Sequence, residues 1–323
     1  MNNLLKNFRQ AIRGLTANLT RSGLTTLGIV IGIATVIMVF SIGAGFRSYL
    51  TDQIASFGTN TVFIGTRVPP TTKARNSNSL GVSPQDALVT ITSFTNRDIE
   101  SIRRLPNVVQ AYGAVTGQKP VSYGNVSKNS IILGADSARF EVDQGKLAAG
   151  RFYTDAENTA AAQVAILGSD IAKDLFGQND PLNKMIRVGD YNFLVIGVYQ
   201  PRGSLGIEND DQEVFVPLVT AQKKLLGVDY LILGVAQLRD QTLAAATAED
   251  MAAVMRRNHN ITDPAKDDFQ ITTQAQGLDT LDTILGWLQF LSAGIGAISL
   301  LVGGVVIMNI MYVVVTERIA EIG

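Results

Sequence analysis

The residues of this chain that could do chemistry are few, and their spacing excludes most reactions. There is one histidine, His259, in Arg256-Arg257-Asn258-His259-Asn260, and there is no cysteine. Nucleophilic catalysis needs a hydroxyl or thiol beside an activating base. With one imidazole and no thiol, the usual triads are unavailable. No His, Cys or carboxylate cluster has metal-ligand spacing, and no G-x-x-x-x-G-K-[ST] phosphate loop occurs. Two carboxylate pairs, Asp210-Asp211 and Asp267-Asp268, fall in loop-like sequence and read as solvated turns. His259 reads as a solvated residue near a helix end. The chain is therefore expected to hold no catalytic residue, no metal and no cofactor of its own.

The elements around these residues are more informative. Leu24 to Phe46 is a run without a charge, and Ile284 to Thr316 is a second, longer one. A helix crossing a bilayer needs about 20 mostly apolar residues, so both runs qualify as transmembrane helices. They explain a charge fraction of only 17%, against about 25% in ordinary globular domains. The first run is too long for a signal-peptide core, and Ser41-Ile42-Gly43-Ala44-Gly45 makes a poor cleavage site. Lys6, Arg9, Arg13 and Arg21 precede it with no acid among them. Basic residues stay in the cytoplasm, so both termini are expected there and residues 47–283 outside. Leu4, Leu5, Phe8, Ile12 and Leu15 give residues 1–23 the spacing of an amphipathic helix on the inner membrane surface. Net charge is −1, which gives no reason to expect nucleic acid as a partner.

Between the runs the expected fold is α+β. Thr61–Thr66 is β-branched and aromatic, and the polar stretch Pro69–Asp86 reads as a loop. Thr95 opens a helix that Pro106 stops, and Val108–Val115 is a strand. The same strand–helix–strand order returns as Tyr230–Gln237, Thr242–Arg257 and Asp268–Thr272. A β-rich insert at about 120–215 separates these repeats. It contains Pro120–Ser122, Ser130–Gly134, Val164–Leu167, Met185–Val188 and Phe193–Val198 as strands, with a helical turn at Ala172–Phe176. Two α+β subdomains are expected.

Within the spans, Gly43-Ala44-Gly45 and Gly303-Gly304 favour close helix packing. Asn309 is an amide at membrane depth and is expected to face another helix. Trp287 suits an interfacial position at the outer end of its span.

These segments carry a resemblance. Arg21 to Ala34 resembles the entry pattern of the permeases of MacB-type ABC transporters, and Ser41 to Gly45 their exit pattern. That group also includes the lipoprotein-releasing permeases and FtsX proteins. Gly58-Thr59-Asn60 follows, and Gly150-Arg151-Phe152, Val164 to Gly168, Leu175-Phe176-Gly177 and Asp180-Pro181-Leu182 resemble the MacB-like periplasmic core domain. Leu300 to Gly304, Met308-Asn309-Ile310-Met311, Thr316-Glu317-Arg318 and Glu321-Ile322-Gly323 recur in this order in such permeases. Val305-Val306 stands where a further glycine is common, and Ile319-Ala320 where a basic residue is.

The resemblance implies a non-enzymatic permease subunit of the bacterial inner membrane. It would dimerise and couple to a separate cytoplasmic ABC ATPase, which binds the ATP and Mg. A periplasmic adaptor is a further implied partner. Glu317, Arg318 and Glu321 are the implied ATPase-coupling residues, in the start of a coupling segment at 317–323. Gly28, Gly32, Gly303, Gly304 and Asn309 are the implied packing residues of the spans. Such permeases have four spans, so this chain is expected to be the first half of one, from a truncated gene or a partial sequence, or a split subunit. Two other readings stand beside this one: an FtsX-like regulator of cell-wall hydrolases, and a two-span extracytoplasmic sensor.

Overall fold

The structure is a computed structural model and describes residues 19–56, 60–69, 91–143, 145–202 and 209–322. The expected amphipathic helix before residue 19, the polar stretch beyond Pro69, and Gly58-Thr59 lie outside these residues. The chain forms two compact units, a helical one from its two ends and a sheet domain over residues 52–277.

The helical unit is built from α1 (Leu19–Ser56) and α8 (Gln274–Ile322). Within α1, Val30–Ser48 is long and apolar enough to cross a membrane by length and composition, and so is Gln274–Asn309 of α8. Their large side chains face outward: Met38, Phe290, Leu301 and Met308 are all exposed. A soluble helix hides such a surface, whereas one packed in lipid has no reason to.

The sheet domain opens with β1 (Thr61–Thr66), whose Val62 and Ile64 enter the main core while Phe63 packs on the other face. This is the period-2 alternation of a strand. Helix α2 (Asn96–Arg103) starts at a capping box: Asp98 Oδ2 accepts from the Thr95 amide (2.8 Å) and hydroxyl (3.1 Å). Strand β2 (Val108–Tyr123) follows. The second repeat is β9 (Leu233–Leu238), α7 (Ala244–His259) and β10 (Phe269–Thr273). Helix α7 ends on Asn260 at φ 57°, whose amide donates back to the Arg256 and Arg257 carbonyls. An asparagine tolerates this left-handed cap better than most residues. The four strands lie in the order β10-β1-β9-β2, all antiparallel. This is the β-α-β-β-α-β arrangement of ferredoxin-like folds, with an insert at the midpoint.

The insert comprises β3 (Val126–Ala135), α3 (Arg139–Val142), β4 (Leu147–Gly150), α4 (Asp155–Thr159), β5 (Val164–Leu167), α5 (Ser169–Phe176), β6 (Met185–Val188), β7 (Tyr191–Tyr199) and β8 (Glu213–Pro217). A short helix, α6 (Leu218–Thr220), continues as a π-helical turn at Ala221–Leu226. Strand β2 is longer than its sequence suggests. Its first part pairs with β9 and its second, from Ala114 to Tyr123, with β3. The expected arm at Pro120–Ser122 is therefore the far end of β2. One hydrogen-bonded sheet runs through both expected subdomains, and one core cluster joins Val62 and Phe94 to Leu175 and Phe193.

Strand β6 pairs with both β2 and β7. With β2-β3, β3-β8, β8-β5 and β5-β7 also paired, six strands close into a ring. Closure removes the exposed edges that a flat sheet of short strands would leave. Helix α5 packs against β2, β3 and β7 of this ring.

Candidate functional site

The helices of the terminal unit approach most closely at small residues. A Cβ placed on Gly32 would lie 2.6 Å from Ser299 Cβ, and one on Gly296 would lie 2.6 Å from Val36 Cγ2. At Gly32 a side chain would press on the Cβ of Ser299 and push the helices apart, whereas at Gly296 the Val36 side chain would have to turn aside; small residues let backbones meet in this way. Gly303 is buried, whereas Gly304 has open space around it and Asn309 is exposed. The surroundings of Gly28 lie outside the described side chains. Further along, an apolar cavity of about 290 Å³ lies between the helices, lined by Val39, Ile42, Phe46, Leu285 and Leu288 with the Gln289 amide. Past it, Arg47 makes a two-pronged ion pair with Asp282, Nε–Oδ1 at 2.8 Å and Nη2–Oδ2 at 2.9 Å. Trp287 and Tyr312 are both exposed on α8, as interfacial aromatics would be. Helix α8 runs on through Glu317, Arg318 and Glu321, whose side chains lie outside the described residues.

The sheet domain gathers charges that the sequence scatters. Asp210 and Asp211 are not a solvated turn; both are buried. They sit in a short 3-10 helix (Asp210–Gln212) before β8. Arg202, just past β7, donates to both oxygens of Asp143 (2.6 and 2.9 Å) and to Asp210 (2.9 Å). Its amide donates to Asp211. Arg139 lies fully inside, 3.5 Å from Asp143 and 3.9 Å from Asp210, with its guanidinium 4.8 Å from the centre of the Phe215 ring. Burial opposes the charge on Asp143. The hydrogen bonds from Arg202 and the charges of Arg139 and Arg202 outweigh it, holding the carboxyl below the usual carboxylate range. Tyr153 and Tyr199 stack into the same wall with Phe140, Phe152 and Phe215. Burial pushes the Tyr153 phenol well up, so it stays a donor, with the Ala135 and Val216 carbonyls at 2.9 and 3.2 Å. On the surface, Arg151 grips Glu157 with both terminal nitrogens, and that pairing brings the Glu157 carboxyl down to about 2.

His259 is also not a solvated residue. Its side chain is 3% exposed, with Nδ1 2.7 Å from Asp268 Oδ1 and Nε2 3.3 Å from Asp98 Oδ2. Asp267 is held by Arg256 at 2.6 Å. Both acidic pairs thus tie neighbouring segments together, Asp268 also accepting the Ser93 hydroxyl. Among the described residues, no group of His, Cys, Asp and Glu could hold a metal ion. These charges fix backbone segments to each other.

The glycine motifs of the insert have geometric reasons. Gly150 sits at φ 88°, and a Cβ there would be driven into the Ile196 carbonyl oxygen and lie 2.6 Å from Gly197 Cα. Gly168 lets the carbonyls of Asp210 and Asp211 lie against α5's start, with the latter 2.5 Å from where its Cβ would be. Gly177 closes α5 at φ 61° in open space. Asp180 Oδ1 accepts the Leu182 amide at 2.9 Å, fixing the turn around Pro181.

Comparison with known proteins agrees with this geometry. The family model for the MacB-like periplasmic core domain matches residues 22–254. The macrolide export ATP-binding/permease protein MacB of Azoarcus sp. (strain BH72) is 34% identical over 325 residues, covering 100% of this chain and 46% of that protein. The MacB of Bdellovibrio bacteriovorus is 31% identical over 322 residues, covering 99% of this chain and 48% of that protein. The chain spans about half the length of these relatives. The crystal structure of the periplasmic region of MacB from Actinobacillus actinomycetemcomitans superposes with a TM-score of 0.56 at 20% identity, covering 72% of this chain and 95% of that one. At that identity the likeness shows the fold alone.

Proposed function

Because the chain belongs to the family of MacB-like periplasmic core domains, we propose that it is the permease portion of an ABC-type exporter. In this reading the sheet domain lies outside the cytoplasm and converts motion of the two spans into work on a substrate or a partner there. The ATP is bound and hydrolysed by a cytoplasmic ABC ATPase. Glu317, Arg318 and Glu321 make the contact with it, a second permease copy completes the membrane part, and a periplasmic adaptor is a further partner. Gly28, Gly32 and Gly303 are packing positions between the two spans, and Gly304 and Asn309, which are open in this chain, pack against other helices of the complete membrane part.

One observation carries this reading. Strand β10 ends at Thr273, and α8 begins at Gln274 with no intervening residue. The junction is closed by reciprocal hydrogen bonds, Thr273 N to Gln276 Oε1 (3.0 Å) and Gln276 N to Thr273 Oγ1 (3.2 Å). A strand of the sheet domain is thus followed directly in the chain by the helix that bears Glu317 and Glu321. That connection suits a mechanical transmitter better than a pore or a ligand-gated sensor.

The coupling claim is tested by purifying the chain from its native membranes and measuring the ABC ATPase that accompanies it. With Glu317→Lys and Glu321→Lys together, the yield of ATPase is expected to fall at least about tenfold, since reversing docked charges costs roughly 2–5 kcal/mol. An unchanged yield removes these residues from the contact.

A further inference from the structure

His259 lies where the two strand–helix–strand repeats meet. It is the last residue of α7, Asp98 belongs to α2, and Asp268 immediately precedes β10. The imidazole is buried; Nδ1 is hydrogen-bonded to Asp268 at 2.7 Å, while Nε2 lies 3.3 Å from Asp98 Oδ2 without completing a hydrogen bond. The Phe269 ring meets it edge-on at 5.9 Å. Of the nearby cations on its own helix, Arg256 is taken up by Asp267.

Both carboxylates are already used as acceptors. Asp98 receives the Thr95 amide, the Thr95 hydroxyl and the Asn258 side-chain amide. Asp268 receives the Ser93 hydroxyl. A neutral imidazole has one N–H and one lone pair, so it can donate to only one of them and must turn its lone pair towards the other. Only the imidazolium is attracted to both. A bare ring nitrogen buried against a carboxylate is costly, whereas a protonated ring gains one charge-assisted bond to Asp268 and a close opposite charge at Asp98.

We propose that His259, Asp98 and Asp268 form a proton-dependent clasp between the two repeats, closed when the imidazole carries its proton and loosened when it is neutral. Histidine is the side chain whose charge ordinarily changes between pH 5 and 8. The clasp secures the segment entering β10, so its state reaches the strand that continues into α8. Acid outside the cytoplasm would tighten this joint and alkali would relax it. The idea holds whether or not the chain is a permease.

The test uses the full chain in detergent micelles. His259 is its one histidine, so a 13C-labelled imidazole gives a single resonance without assignment. In the wild type this resonance is expected to keep its imidazolium position to higher pH than in Asp268→Asn, which keeps the shape and removes one charge. Amides of β10 should exchange with deuterium at least about fivefold faster at pH 8 than at pH 6, after correction for intrinsic exchange, and His259→Gln should abolish that difference. A neutral imidazole signal throughout pH 5–8 overturns the proposal. So does an exchange difference that survives in His259→Gln.

Discussion

Replacing Gly150 by alanine is expected to cost the sheet domain about 3–5 kcal/mol. Two effects add at this position. The backbone stands at φ 88°, where an L side chain is strained by roughly 1–3 kcal/mol. The new methyl group would also meet the Ile196 carbonyl and Gly197 Cα. Those atoms belong to β7, which pairs with β4 at this residue, Gly150 opposite Gly197. Backbone cannot swing aside as a side chain can, and overpacking of this kind costs roughly another 1–3 kcal/mol. For a domain of this size the melting temperature should fall by about 10 °C. Gly177→Ala is the control. Gly177 also has positive φ, but nothing lies within 4 Å of its would-be Cβ, so only about 1–2 kcal/mol should be lost. Equal losses in the two variants would show that the close approach of β4 and β7 is not what Gly150 serves.

The second large effect is expected at Arg202. Arg202→Met leaves Asp143 and Asp210 facing Arg139 alone, which sits 3.5 and 3.9 Å away without the fork of close bonds. Removing one partner from a buried ionic network costs roughly 3–5 kcal/mol because two buried carboxylates are then balanced by one more distant cation. Arg202→Lys should recover part of this loss, since an ammonium restores the charge but not the two-pronged grip on Asp143. The pH dependence has a definite sign. The Asp143 carboxyl is lowered in the folded protein, so its contribution is complete above the ordinary carboxylate range near pH 4 and drains away as pH falls below it. Chemical unfolding of the wild type and Arg202→Met at pH 7 and at pH 3 should therefore give stabilities that converge in acid. A gap that stays constant would mean that Arg202 acts through packing against Tyr199 and not through charge.

These two sites also show which parts of the molecule its sequence discloses. Local signals were sound guides. The β-branched run Thr61–Thr66 and the apolar run Val164–Leu167 are strands with those bounds, and Thr95 caps the helix it precedes. Such features depend on neighbours a few residues away. The glycine motif at 150 was visible as a pattern, but its reason needs β7, nearly fifty residues later in the chain. The cluster around Arg202 draws on a four-residue helix, a strand end and a 3-10 turn, with no spacing that could announce it. Asp210 and Asp211 look like loop acids because burial of a carboxylate is decided by whether an arginine arrives from elsewhere. His259 follows the same rule. Its polar neighbours suggest solvent, while Asp98 and Asp268 approach from α2 and from the start of β10. Ring closure by β6 was equally hidden, since Met185–Val188 reads as a strand but does not name its two partners. The two apolar helices were the plainest feature, being a matter of length and composition.

In the proposed topology the sheet domain and the Glu317–Glu321 segment lie on opposite sides of a membrane. The chain has no cysteine, so a single introduced thiol reports one position. Val126, exposed at the end of the β2–β3 hairpin, and Glu317 are suitable sites. With a membrane-impermeant maleimide on intact spheroplasts, Val126→Cys is expected to label fully, and Glu317→Cys only after lysis. Protection of Val126→Cys in intact spheroplasts, or labelling of Glu317→Cys without lysis, would contradict the account.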